Sequence, residues 1–210
     1  MFAHFKDREY TKAFAWSWAM LVASLFINFF AGTYATAKAS NPVTDLILDN
    51  IPLFNVEGVF IWGAFILVAC IVLACLSRPS RIPFALKSIA LFVVIRSIFI
   101  TLTHLAPFPT TAFLDPIKFA SYFMFGGDLF FSGHTGLPFL IALVFWDDRF
   151  MRVSFIALSA IFGTVALMGH LHYSIDVFAA FFITYAVYGI AEQVFRKDWA
   201  RGREEIRKGP

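Results

Sequence analysis

Charge is scarce in this chain. Only 15% of the 210 residues are Asp, Glu, Lys or Arg, while 60% are hydrophobic and 19% aromatic. A soluble domain is about half apolar and about a quarter charged, so a free-standing soluble fold is excluded. Cysteine is nearly absent. Cys70 and Cys75 share one apolar block, where helical geometry points them about 140° apart. That excludes a disulfide between them and leaves two small buried apolar residues. Low-complexity tracts, long linkers and internal repeats are also missing. The chain reads as one domain over 1–210.

What is present is apolar blocks separated by short charged stretches, the pattern of an all-α polytopic membrane protein. Six spans are expected, at Ala13–Ala37, Glu57–Ser77, Phe84–Leu105, Leu129–Trp146, Phe150–Gly169 and His172–Phe195. The fourth is the shortest and starts with polar residues. The first follows Lys6, Arg8 and Lys12 and precedes Ala35-Thr36-Ala37. Its apolar run exceeds the roughly 7–15 residues of a signal peptide, so it reads as an uncleaved anchor.

The net charge of +3 does not point to nucleic acid, because the cations sit between and after apolar blocks. Lys6, Arg8, Lys12, Arg78, Arg81, Lys87, Arg149, Arg152 and the basic tail 196–210 fall on one side. Lys38 and Lys118 fall on the other, and Arg96 lies inside a span. The bias of Lys and Arg toward the cytoplasm then puts both termini on the cytoplasmic side of an inner (plasma) membrane. The loops at 38–56, 106–128 and 170–171 are expected to face outward.

Two outward span ends carry chemistry. One is Gly126-Gly127-Asp128-Leu129-Phe130-Phe131-Ser132-Gly133-His134-Thr135, and the other is His170-Leu171-His172-Tyr173-Ser174-Ile175-Asp176. His172 and Asp176 are four apart at a helix start and share a face. A carboxylate at that depth is costly and is usually paired. The expected partner is the His172 ring N–H, which leaves the other ring nitrogen as nucleophile or base. A pair that merely staples the bundle is the competing reading. Ser132-Gly133-His134 opens the fourth span, where glycine permits close approach and free helix N–H groups suit phosphate. A helix cap with a solvated histidine is the simpler alternative there. Two such segments at one face favour the chemical reading of both.

These motifs resemble the sphingomyelin synthase group of the type 2 phosphatidic acid phosphatase (PAP2) superfamily. The resemblance rests on Gly127-Asp128, Ser132-Gly133-His134-Thr135 and His172-Tyr173-Ser174-Ile175-Asp176, and runs over about 45–190. Arg96 and the following Thr101, Thr103, Leu105 and Pro107 are similar to its third-span segment. Glu57-Gly58 is similar to a family acidic position. The resemblance implies a six-helix bundle and a phosphotransferase, or a phosphatase with the same histidines. His172 would attack phosphorus and become a phosphohistidine, Asp176 would orient it, and His134 would move the proton. Arg96, Asp128, Ser132, Gly133 and Glu57 would bind substrate, with phospholipid and lipid alcohol as partners and no cofactor.

The chain departs from the lipid phosphatases of the superfamily. Val165 and Ala166 stand where Ser-Arg is usual, and the only Arg-Pro, Arg78-Pro79, lies on the opposite side with Ile71 in place of its Lys. One intramembrane cation balances a phosphodiester better than a dianionic monoester. A metal bound by His134, His170 and His172 is disfavoured, because H-x-H on a helix splays the rings and thiolates or clustered carboxylates are missing. A proton-coupled transporter using Arg96, His134 and Asp176 is also disfavoured. Its charges cluster at one face rather than crossing the membrane.

Overall fold

The computed structural model describes residues 7–111 and 129–208, with side chains through Glu204. It is all-helical, with no strand among the described residues. Seven α-helices follow in order: α1 (Arg8–Lys38), α2 (Glu57–Ser77), α3 (Ile82–Leu102), α4 (Gly133–Val144), α5 (Arg149–Met168), α6 (Ser174–Val194) and α7 (Arg196–Lys208). A 3-10 turn at Pro79–Arg81 links α2 to α3. Helices α1, α2, α5 and α6, and α3 with that turn, are long and apolar enough to cross a membrane.

The fourth expected span differs. Helix α4 has only 12 residues, about 18 Å at the helical rise, against a hydrocarbon core of about 30 Å. It starts late because Ser132 takes the N-cap position, its hydroxyl accepting the Thr135 N–H. It survives short because protein surrounds it. Leu140, Ile141, Ala142 and Phe145 are fully buried, and α3, α5 and α6 pack around it. Irregular backbone at membrane depth is tolerated where protein covers it. Gly136 makes this closeness possible: a Cβ there would lie 2.7 Å from Thr184 Oγ1 and 2.8 Å from Phe92.

Helix α1 lies along α3 on a small-residue seam. Tyr10, Ser17, Ser24 and Ala31 recur every seven residues on its buried face, the period that keeps one stripe against a neighbour. At one end of the bundle α7 folds back beneath it. There Lys87 pairs with Asp198 at 2.6 Å and Arg81 with Asp147 at 3.0 Å. The basic tail is therefore an ordered helix, at least through its first turns. At the other end the loops after α1, α3 and α5 meet. Ser40 bonds the His104 carbonyl through both its N–H and its hydroxyl, and Phe54 N–H reaches the Met168 carbonyl.

Candidate active site

Both histidine segments lie at this second end, and backbone groups join them. The Ser132 N–H donates to the Asp176 carbonyl at 3.0 Å. The His172 Nδ1 lies 2.9 Å from the Leu129 carbonyl oxygen. A carbonyl only accepts, so Nδ1 carries the proton and the neutral ring leaves its lone pair on Nε2. No hydrogen bond from a described residue engages that nitrogen.

This corrects the expected pairing. The Asp176 Oδ2 is 3.6 Å from His172 Nδ1, close enough for charge attraction but too long for the hydrogen bond. Its Oδ2 instead accepts the Tyr173 N–H at 3.0 Å. The side chain is fully buried, and Oδ1 has no hydrogen-bond partner among the described residues. The group bonded to His172 Nδ1 is a backbone carbonyl, and the Asp176 carboxyl stands beside it.

The residues between His172 and Asp176 act as fasteners. The Tyr173 hydroxyl donates to the Ala106 carbonyl at 2.9 Å and accepts the Val43 N–H at 3.2 Å. Ser174 binds Asp45 through N–H and hydroxyl at 2.7 and 2.8 Å. Two loops, the one after α1 and the one after α3, thus grip the start of α6. Only Ile175 points outward, 59% exposed. Tyr173 and Ser174 stood inside the motif with no chemical signal, and Asp45 resembled any solvated loop acid.

Arg96 is buried on α3, and its Nε donates to the Phe131 carbonyl at 2.7 Å. This lays the guanidinium against the head of α4: a Cβ on Gly133 would sit 3.2 Å from Arg96 Nε. Ser132 is fully buried, and its Oγ accepts from Thr135 N–H and Oγ1 at 3.3 and 3.0 Å. It holds the helix start rather than presenting a free hydroxyl. The first N–H groups of α4, at Gly133 and His134, have no carbonyl one turn earlier within the helix.

His134 is half-buried one residue further on. Its ring lies between Phe60 of α2 and Phe162 of α5, with centroids 4.3 and 5.9 Å away. Phe60 is therefore a site neighbour that the motifs did not reveal. Glu57 opens α2 three residues before Phe60, half-buried, and this spacing puts the two on one helical face. Asp128 and Lys118 lie outside the described residues. His170 is turned to other work. It adopts φ 50° after the end of α5, its Nδ1 is 2.7 Å from Thr110 Oγ1, and its ring meets Phe108 edge-on. Among the described residues no three His, Cys, Asp or Glu side chains are grouped to hold a metal ion.

Spanning helices and two histidine segments joined at one end define an integral membrane protein with a polar site at that end. Residues 126–193 match the family model of the PAP2 superfamily C-terminal domain. The match over this segment supports membership of the PAP2 superfamily, whose members are generally phosphatases and phosphotransferases, and so supports an enzyme. The matched segment holds α4, α5 and nearly all of α6, including both histidine motifs. No curated protein and no solved structure matches the chain.

Proposed function

We infer that the chain is a lipid phosphotransferase that moves a phospho-head group from a phospholipid to a lipid alcohol. The observation that carries this reading is the His172–Leu129 bond, which presents Nε2 as an unprotonated nucleophile. In the first half-reaction Nε2 attacks phosphorus of a phosphodiester. The P–O bond to the glycerol breaks, and His134 donates a proton to the departing oxygen. Diacylglycerol leaves, and the head-group phosphate stays on His172. In the second, His134 takes the proton of the acceptor hydroxyl, whose oxygen attacks phosphorus and frees His172. Asp176 balances the positive imidazole during both steps. Proton transfer by a placed side chain is worth about 10²–10⁴-fold.

The two helix starts divide the labour. The start of α6 already holds the carboxylates of Asp45 and Asp176, which disfavours a further anion. Among the described residues the start of α4 is capped by the Ser132 hydroxyl, and it lies against Arg96. Phosphate oxygens therefore belong at Gly133, His134 and Arg96, with Ser132 shaping the helix start. Glu57, on the α2 face that carries Phe60, would take a cationic head group, a role the resemblance also implies for Asp128. One cation balances a diester monoanion, whereas phosphatidic acid brings up to about two charges, and burying the second is unfavourable. The Lys and Arg distribution supports an extracytoplasmic site in an inner membrane, with both termini cytoplasmic.

The test is purified protein in mixed micelles with head-group-labelled phosphatidylcholine or phosphatidylethanolamine, with and without diacylglycerol or ceramide. Phosphatidic acid is assayed beside them. The expected result is an acid-labile phosphoenzyme, label transfer to the lipid alcohol, and diacylglycerol release faster than phosphate release from phosphatidic acid. Faster turnover of phosphatidic acid, with water as acceptor, makes the protein a PAP2-type hydrolase instead.

A further inference from the structure

Asp45 lies between α1 and α2, outside every helix, yet its carboxylate is buried and fully engaged. Oδ1 accepts the N–H groups of Ile47 and Leu48 at 2.9 and 3.1 Å. Oδ2 accepts the Ser174 N–H and hydroxyl at 2.7 and 2.8 Å. The Ser174 N–H is the first of α6, so this helix is capped by a residue 129 positions away in sequence. An ordinary cap is the residue that precedes the helix. Tyr173, in that place, makes no side-chain cap bond, its hydroxyl being spent on Val43 and Ala106. Capping from another loop turns a local bond into a tertiary latch.

We propose that Asp45 is a positioning residue for His172, holding the start of α6 so that the His172 ring stays on the Leu129 carbonyl. This rests on the reading of His172 as nucleophile. Ser174 lies midway between His172 and Asp176, so a shift of the latched residue displaces both. Asp45 touches no reacting atom and acts only through this segment. Leu48, held by the same carboxylate, packs with Leu129 and Tyr173. One side chain thereby ties the loop to both the ring and the carbonyl that orients it.

Charge completes the argument. Burial alone would raise the Asp45 pKa, but hydrogen bonds from Leu48, Ser174 and Ile47 outweigh it and hold the carboxyl below its usual range. The ionisable groups around it are Asp49, whose carboxylate accepts the Asp45 N–H at 2.8 Å, and Tyr173, on which Asp45 and Asp176 both act by charge. No Lys or Arg pairs with it among the described residues. Because the folded pKa is depressed, the latch is complete above the ordinary carboxylate value of about 4. It is lost as pH falls through the lower folded value.

The experiment compares Asp45→Ala, Asp45→Asn and His172→Ala in the full-length protein, using the phosphatidylcholine assay and trapping of the phosphoenzyme. Asp45→Ala is expected to lower kcat and the rate of phosphoenzyme formation by about 10–10²-fold, with KM within about twofold. Asp45→Asn keeps an acceptor for Ser174 and is expected to recover most of that loss. Wild-type kcat in a folded Asp45→Ala protein overturns the proposal, as does a raised KM with unchanged kcat. If the alanine variant does not fold, the asparagine variant decides, by a kcat lowered several-fold at unchanged KM. Full activity there reduces Asp45 to fold maintenance. An active His172→Ala protein defeats the nucleophile reading itself. An inactive one beside a fully active Asp45→Ala protein defeats only the positioning role.

Discussion

The Nδ1 of His172 lies 2.9 Å from the carbonyl oxygen of Leu129, a contact across 43 residues of sequence. It joins the two histidine segments and sets the tautomer of the ring without any side-chain partner. In the more familiar arrangement a carboxylate does this work. Here the carboxylate of Asp176 stands slightly further off, at 3.6 Å, and is tied to the backbone of its own helix. The group that bonds the ring and the carboxyl nearest to it are thus different groups.

That separation makes Asp176→Asn informative. The amide oxygen retains the bond to the Tyr173 N–H, and the Leu129 carbonyl keeps the His172 proton on Nδ1. Only the charge is lost. The expected result is a folded protein with kcat lowered about 10²–10³-fold, the range for removing one electrostatic stabiliser. A far larger loss, equal to that of His172→Ala, would mean that Asp176 rather than Leu129 controls the tautomer. Single-turnover phosphoenzyme formation is the measurement.

Gly133 offers a second test, because its Cα faces the Arg96 guanidinium. A methyl group there would meet Nε at 3.2 Å, pressing the arginine a few tenths of an ångström from its seat on the Phe131 carbonyl. Gly133→Ala is expected to lower kcat severalfold, less than the about 10²-fold of a full ångström misplacement. Arg96→Ala is expected to suppress diester cleavage at least as strongly. If Gly133→Ala turns over phosphatidylcholine normally, Arg96 does not serve phosphate from its observed place.

Orientation follows from labelling. Pro109 is exposed in the loop after α3, and Arg149 is exposed at the opposite end, where α5 begins. In a background lacking Cys70 and Cys75, Pro109→Cys should react with an impermeant thiol reagent added outside intact cells. Arg149→Cys should react only after permeabilisation. The reverse pattern would put the histidines on the cytoplasmic side.

Much of this molecule was legible in the chain. Hydropathy is a sum over about 20 neighbouring residues, so the long helices appear without knowledge of their packing. The motifs mark His134, His172, Asp176 and Arg96, and these residues lie toward one end because alternating spans return there. Helix α4 is shorter than its apolar run, since an apolar run cannot report that neighbours on three sides will shield a short helix from lipid. The acceptor for His172 was hidden for another reason. It is a backbone carbonyl, identical at every residue, and only the meeting of two distant segments selects Leu129. Asp45 was silent for the same cause. A carboxylate in a polar loop looks solvated until folding carries the first N–H of α6, 129 residues away, onto its oxygen. Membrane insertion and residue chemistry are local properties, whereas tautomer, capping and burial depend on which remote groups the packed bundle sets side by side.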